Sequence, residues 1–293
     1  MFSIIITVFN REQSIAAAIE SCLIQSYKEY EIIIIDDGSV DNSYKVIEPY
    51  LKNNKVRYYY QTNQGAAAAK NKGADKAKFP YILFLDSDDV ISDPSVFNTI
   101  ACEITSSHPD FISFKKIMIR ISGQISIQED KNLSNSIDFR RHMLEAPLNY
   151  AGKPPYLFNK QCFLQCNGFD VNSKWGDALI FWRRFFDFNI KSKVIDDVGY
   201  IYDQTDTNSI SRNKNIALYA KALAVIRKCY EENKNSIFEI KAEKNWQLIF
   251  VYYAIKSKSA NCILKAISEL LSGRLYLLPR SLLYIVRTKV LQC

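Results

Sequence analysis

The sequence holds no uncharged apolar run near the roughly 18 residues that a bilayer-spanning helix needs, so the chain is expected to be soluble or to rest on a membrane surface. Met1 passes straight into FSIIITVFN without a basic stretch or a small-residue cleavage site, and no secretory leader is expected. There is no internal repeat and no low-complexity tract. Nor is there a CxxC pair: the seven cysteines stand dispersed at 22, 102, 162, 166, 229, 262 and 293, which excludes a disulfide framework. Reduced, buried thiols and a cytoplasmic location are the expectation. Cys162 and Cys166 are close in sequence, but no second Cys/His pair lies nearby to complete a zinc site. Histidine is limited to His108 and His142, which are expected to be surface or core fillers.

What is present suits one large domain, or a domain with an appendage, in 293 residues. A hydrophobic share of 48% with 24% charged residues supports a sizeable core and excludes disorder as the main state. The net charge of +7 favours anionic partners such as phosphates or anionic lipids; no nucleic acid partner is expected.

The first hundred residues alternate between two hydrophobic periods. Ser3 to Val8, Glu31 to Ile35, Lys55 to Gln61 and Tyr81 to Leu85 read as strands, the apolar runs suiting strands covered on both faces. Asn10 to Gln25, Asp41 to Leu51 and Ala66 to Lys78 read as helices between them. A βαβαβαβ order predicts a parallel sheet with helices on both faces. Farther on, Asp110 to Ile127 suggests one or two strands turning at Ser122-Gly123, and Gln128 to Ser136 a polar loop. A helical stretch near Ile137 to Glu145 leads to a Pro-containing loop, Pro147 to Pro155. Asp177 to Phe188 reads as an amphipathic helix and Val194 to Tyr202 as a late strand; from about Asn213 the pattern is helical and basic.

In open α/β sheets ligands gather beyond the carboxyl ends of the strands. Each polar cluster falls at that edge: Thr7 to Asn10, Asp36 to Ser39, Asn63 to Gly65 and Asp86 to Asp89. The last is the sharpest, because ILFLDSDDV runs a buried strand into three carboxylates that repel one another. Such acids hold a divalent cation, act in acid/base chemistry, or cap a helix, and one cap needs one side chain. A hard cation relieves the repulsion, and Mg²⁺ or Mn²⁺ usually brings phosphate oxygens with it.

The segments TVFNREQSIAAAIESCLIQSYKEYEIIIIDDGSVDNS, NQGAAAAKNKGADKA and YILFLDSDD, resumed at NGFDVNSKWGDALIFWRRF, resemble the family 2 glycosyltransferases. The resemblance implies a GT-A (Rossmann-like) α/β fold, a mostly parallel central sheet flanked by helices. It implies a catalytic domain over 1–212, with a nucleotide-binding half at 1–95 and an acceptor half at 96–212; the tail over 213–293 lies outside the resemblance and is expected, from its own pattern, to be a C-terminal helical extension. Thr7, Val8, Phe9 and Asn10 would lie against the uracil or ribose of a UDP-sugar, with Thr7 where the family usually has Pro. Asp36, with Asp37, would bind the base, and Gly65 would let the backbone approach the nucleotide. Lys70 stands where the family often has Arg and would meet phosphate as a point charge. Asp86, with Ser87, would contact the ribose and Asp88 would ligate Mn²⁺ or Mg²⁺, leaving Asp89 to local structure.

Inverting sugar transfer needs a base for the acceptor hydroxyl and charge stabilisation for the departing diphosphate. Family members place an acidic pair ahead of an aromatic-x-Arg helix; here Gly176-Asp177 precedes Phe181-Trp182-Arg183-Arg184, so Asp177 is the expected base. In a late stretch where relatives carry a metal-reaching histidine, this chain has Asp206, either an oxygen ligand or a loop cap. The tail around Leu270 to Arg280 alternates apolar residues with cations, fitting helices that pack on the domain, rest on anionic lipid, or do both. The acceptor implied is a saccharide, carried on polyprenyl diphosphate in O-antigen or capsule assembly, with the protein peripheral on the inner face of the cytoplasmic membrane. Two alternatives stay open: a haloacid-dehalogenase-like phosphohydrolase, since Asp86-x-Asp88-x-Val90 fits that pattern, and a non-catalytic sugar-nucleotide binder.

Overall fold

The computed structural model describes residues 1–129, 153–172 and 190–203, together with Phe181, Trp182, Arg184, Phe185 and Phe188. Strands β1 (Phe2–Val8), β2 (Tyr30–Asp36), β3 (Val56–Tyr60) and β4 (Tyr81–Asp86) pair in parallel in the order β3-β2-β1-β4. Helices α1 (Ile15–Leu23), α2 (Ser43–Ile47) and α3 (Ala66–Lys76) make the crossovers. The sheet continues through β5 (Val90–Ile91), β6 (Phe111–Ile121), β8 (Lys153–Asn159) and β9 (Ser192–Asp203) in the order β4-β8-β6-β9-β5. Strand β7 (Gln124–Glu129) pairs with β6 alone. Two further helices, α4 (Val96–Ser107) and α5 (Lys160–Gln165), precede β6 and follow β8.

The unbroken isoleucine runs are explained by burial on both faces. Ile4, Ile6, Ile32 and Ile34 pack with Ile15, Ile19 and Cys22 of α1 and with Phe97 and Ile100 of α4. Ile5, Ile33 and Ile35 point the other way, against Ala69 and Ala74 of α3, Phe163 of α5, and Phe169, Phe181, Trp182 and Phe185. Each such isoleucine, fully buried, contributes about 1.5–3 kcal/mol of transfer free energy. Neither face is left to solvent, so period-2 alternation is absent from these strands.

The alternating order read from the sequence is present, with displaced boundaries. The helix expected over 10–25 begins only at Ile15, because Asn10 is left-handed (φ 53°) and residues 10–12 bond another loop. The segment expected as one helix over 41–51 is α2 followed by a 3₁₀ turn, Glu48–Lys52, with Pro49 inside it. The sheet is all-parallel in its first half and mixed beyond it: β8 runs antiparallel to β4 and β6, and β5 to β9, while β6 and β9 are parallel. Strand β8 was hidden by Pro154 and Pro155. They fall where the β6 register breaks between Ile112 and Phe114 and beyond the β4 pairing, which starts at Tyr156, so the missing N–H groups cost no ladder bond there. The turn at Ser122-Gly123 joins β6 to β7 with both residues at positive φ, 49° and 83°. The thiol of Cys102 is exposed on α4, against the expectation of buried cysteines, whereas Cys22 and Cys166 are buried. Of the polar loop expected over 128–136, Gln128 and Glu129 instead end β7, paired with Ile117 and Lys116; the rest of it, the helix over 137–145 and the extension over 213–293 lie outside the described residues, as does the domain boundary at 212. Among the described residues no helix is long and apolar enough to cross a membrane.

Gly73 sets how closely α3 lies on β1. A Cβ there would stand 2.3 Å from Cγ2 of Ile5, whose side chain is 1% exposed. Gly73→Ala is therefore expected to lower stability by about 1–3 kcal/mol in denaturant unfolding, despite the better helix propensity of alanine. Ile5→Ala, which removes Cγ2, should therefore cost less stability in the Gly73→Ala background than in the wild type; additive losses would count against the contact.

Candidate nucleotide and metal site

Register gathers the predicted residues at one edge. Thr7 lies opposite Ile35 on one side and Asp86 on the other, and Val8 lies opposite Asp36. The ends of β1, β2 and β4 are thus adjacent, and the polar residues that follow them share one rim. Residues 10–12 and 39–43 are stitched into a single wall. Asn10 N donates to Ser39 Oγ (3.0 Å), Val40 N to Asn10 Oδ1 (2.9 Å), Arg11 N to Ser43 Oγ (2.8 Å) and Glu12 N to Asp41 Oδ2 (3.1 Å). Phe9 stands on this wall 46% exposed, unlike the buried phenylalanines of the core.

The two acids of Asp36-Asp37 are buried and do different things. Asp36 accepts from Ser39 N and Tyr58 Oη, both at 2.8 Å. Burial, then the bond to Asp36, pushes the Tyr58 hydroxyl well above the ordinary phenol range. Asp37 accepts from Gln61 Nε2, Gln64 N and Gly65 N, each at 2.8 Å, and so folds the loop between β3 and α3. Gly65 begins α3 at φ 92° and ψ 159°, a backbone region that is essentially closed to other residues. A Cβ on it would meet nothing within 4 Å, so the loop presents open backbone at the rim.

The acidic stretch after β4 divides three ways. Asp86 keeps 52% of its side chain accessible. Lys70 Nζ lies 2.9 Å from its Oδ1, and that charge, with a smaller one from Arg11, holds the Asp86 carboxyl below its ordinary range. Asp88 faces Arg11, with Nη2 3.8 Å from Oδ2 and side chains 23% and 20% exposed. Asp89 is buried and accepts from Tyr200 Oη and from Asp203 N (3.0 Å), tying the stretch to the end of β9. Burial first, then the charges of Asp86 and Asp88, raises the Asp89 carboxyl to about 8, so it is largely protonated at neutral pH. Ser87 is buried between them.

A second block of sequence is clamped to α3 beside Lys70. Asn71 Nδ2 donates to Phe169 O (2.8 Å) and Asn71 Oδ1 accepts from Phe169 N (2.9 Å), while Arg184 Nη2 donates to Gly168 O (3.0 Å). The Phe169 ring centroid is 5.8 Å from Lys70 Nζ. Asp177 and Asp206 lie outside the described residues. The residues that reading the sequence missed are Arg11, Asn71, Tyr58 and Tyr200, all partners of acids or turns that it had singled out. Asn71 had a signal, since it directly follows Lys70; Arg11 and Tyr200 had none without the fold.

The donor set fits a cation that arrives with phosphate. Among the described residues no group of three or more His, Cys, Asp or Glu side chains is gathered for a metal. Asp88 offers a partly exposed carboxylate at the rim with Arg11 beside it, which suits Mg²⁺ or Mn²⁺ completed by diphosphate oxygens and water.

A parallel half-sheet with acids at its carboxyl edge, continued by a mixed half, is the arrangement of GT-A glycosyltransferases, and solved structures share it. S. aureus TarS 1-349 in complex with UDP-GlcNAc superposes with a TM-score of 0.67 at 18% identity, over 99% of this chain and 77% of that one. The mannosyltransferase PcManGT from Pyrobaculum calidifontis, in complex with GDP-Man and Mn²⁺, gives 0.59 at 10% identity, over 99% and 79%. At these identities the likeness establishes the fold. Residues 3–108 match the model of glycosyl transferase family 2, and this segment is a domain of that family. An uncharacterized glycosyltransferase of Haemophilus influenzae is 48% identical over 94 residues, 31% of this chain and 38% of the relative. Poly-beta-1,6-N-acetyl-D-glucosamine synthase of Staphylococcus epidermidis is 27% identical over 198 residues, 64% of this chain and 47% of the relative. The matched segments thus span less than half of these two relatives.

Proposed function

We propose that the chain is a metal-dependent, inverting glycosyltransferase that moves a sugar from a UDP-sugar to a hydroxyl of a saccharide acceptor. The observation that carries this reading is Asp88, a partly exposed carboxylate that follows Asp86 and faces Arg11 at the carboxyl edge of a GT-A sheet. A UDP donor is supported by the TarS complex with UDP-GlcNAc and by the name of the Staphylococcus epidermidis relative. The haloacid-dehalogenase-like alternative loses its support, because the matched domain and fold are those of glycosyltransferases.

In this reading Thr7, Val8 and Phe9 form the wall for uracil and ribose, and Asp36 meets the base from beside the Tyr58 hydroxyl. Asp37 acts through the loop it holds, keeping the open backbone at Gly65 where the nucleotide passes. Asp86, with Ser87, faces the ribose, and Lys70 serves both Asp86 and the phosphates. Asp88 would hold Mn²⁺ or Mg²⁺, with Asp206 as a candidate second oxygen ligand. The bound cation supplies charge neutralisation at the departing diphosphate. Asp177 is the proposed base that takes the acceptor hydroxyl proton. The acceptor is proposed to be polyprenyl-diphosphate-linked, in O-antigen or capsule assembly at the cytoplasmic membrane; the net charge of +7 and the basic-apolar pattern of 270–280 support an anionic surface.

The test is a donor screen with UDP-Glc, UDP-Gal, UDP-GlcNAc and UDP-GalNAc, scored by released UDP. At least one donor is expected to release UDP with Mn²⁺ present, and EDTA should return the signal to background. If no donor releases UDP and no nucleoside diphosphate raises the melting temperature, the reading fails.

A further inference from the structure

Arg11 had no place in the site as read from sequence, yet it is the cation beside Asp88. Its main chain is fixed: N donates to Ser43 Oγ (2.8 Å), and O accepts from Ser14 N (3.1 Å) and Ile15 N (3.0 Å) where α1 begins. Its guanidinium lies 3.8 Å from Asp88 Oδ2 and 3.5 Å from Asn10 O. The neighbouring pair differs. Lys70 meets Asp86 at hydrogen-bond distance, 2.9 Å, whereas the Arg11–Asp88 separation exceeds it. Arg11 thus compensates the charge of Asp88 across 3.8 Å.

We propose that Arg11 is a built-in counter-ion of Asp88, occupying the carboxylate's field in the nucleotide-free protein and yielding it to a divalent cation only when a diphosphate arrives to receive the guanidinium. This rests on the reading of the rim as a UDP-sugar site. The physical reason is sign. A dication on Asp88 would sit close to a fixed positive charge and be repelled, whereas a dication bound with a diphosphate brings net negative charge to which arginine can donate in a bidentate manner. Metal and nucleotide thus become coupled ligands, each raising the other's affinity by the same factor. Arg11 suits the exchange because the bonds that fix the chain at residue 11 are made by its main chain, so a change at the side chain leaves them in place.

The experiment is Mn²⁺ titration of the full chain, followed by the electron paramagnetic resonance signal of free Mn²⁺, with and without UDP. Arg11→Gln is expected to tighten Mn²⁺ binding to the nucleotide-free protein by about tenfold, the Coulomb effect of removing a unit charge about 5 Å from a dication under near-aqueous screening. With Mn²⁺ saturating, the same variant should bind UDP roughly tenfold more weakly while uridine binding is unchanged. Arg11→Lys keeps the charge and should leave nucleotide-free Mn²⁺ affinity near wild type. Arg11→Met, a second neutral side chain, repeats the test should the glutamine variant fold poorly. Wild-type Mn²⁺ affinity in both neutral variants overturns the proposal even where UDP with Mn²⁺ binds normally. Absence of any UDP and Mn²⁺ binding by the wild type would instead remove the UDP-sugar reading itself.

Discussion

Replacing Asp88 by alanine is expected to abolish the rise in melting temperature that UDP with Mn²⁺ gives the wild-type protein, and to cut sugar transfer by about 10³-fold or more. The magnitude follows from the several kcal/mol that a positioned cation supplies to a departing diphosphate, at about 1.4 kcal/mol per power of ten. The effect should fall on ligand response and not on the fold. Asp88 is partly exposed and its ion pair with Arg11 spans 3.8 Å, a class worth about 0–1 kcal/mol, so loss of that pair should hardly move the unliganded melting temperature. Removing it also relieves repulsion on Asp89, whose carboxyl its charge helps to push up. A preserved thermal shift with UDP and Mn²⁺ in the alanine variant would remove Asp88 from the metal role. Loss of the shift together with a large fall in the unliganded melting temperature would make it a structural residue.

The contrast between neighbouring acids shows what was legible in the sequence. Strands β1, β2 and β4 were readable because both faces are buried, so their composition alone marks them. Their ends were readable because each apolar run stops at a polar cluster, and a doubly wound sheet places those stops on one rim. Division of labour among the acids was not readable at Asp36-Asp37, where nothing in the sequence separates the two. Tyr58 and Ser39 claim one, and the loop of Gln61, Gln64 and Gly65 claims the other. The assignment of Asp89 to local structure could be made only by excess of acids; its physical basis, Tyr200 and Asp203, comes from a strand more than a hundred residues away. Arg11 was passed over for the same reason, since a cation next to Asn10 has no visible partner until β1 and β4 are adjacent. Strand β8 was lost to a local rule that is sound in regular ladders and does not apply at a register break.

Asp177→Asn is expected to lower transfer by about 10²–10⁴-fold, the range that a positioned general base contributes, while leaving the thermal shift with UDP and Mn²⁺ intact. The assignment comes from resemblance, and what the structure describes is the packing downstream of it. Phe181, Trp182, Arg184 and Phe185 have helical backbone, and the three aromatics are buried in the core cluster of α3 and α5. Arg184 holds Gly168 O, and Asn71 holds Phe169 to α3, one residue from the lysine that pairs with Asp86. The sequence that follows Asp177 is thereby anchored to the same helix that serves the nucleotide rim. Asparagine keeps the size and one acceptor oxygen but cannot take a proton, so the loss should appear in the chemical step and leave donor binding intact. The acid limb of the kcat/KM profile, where the free-enzyme base becomes protonated, should disappear from the residual activity. Unchanged turnover in the asparagine variant would remove Asp177 as the base; loss of UDP binding alongside transfer would reassign it to the donor site.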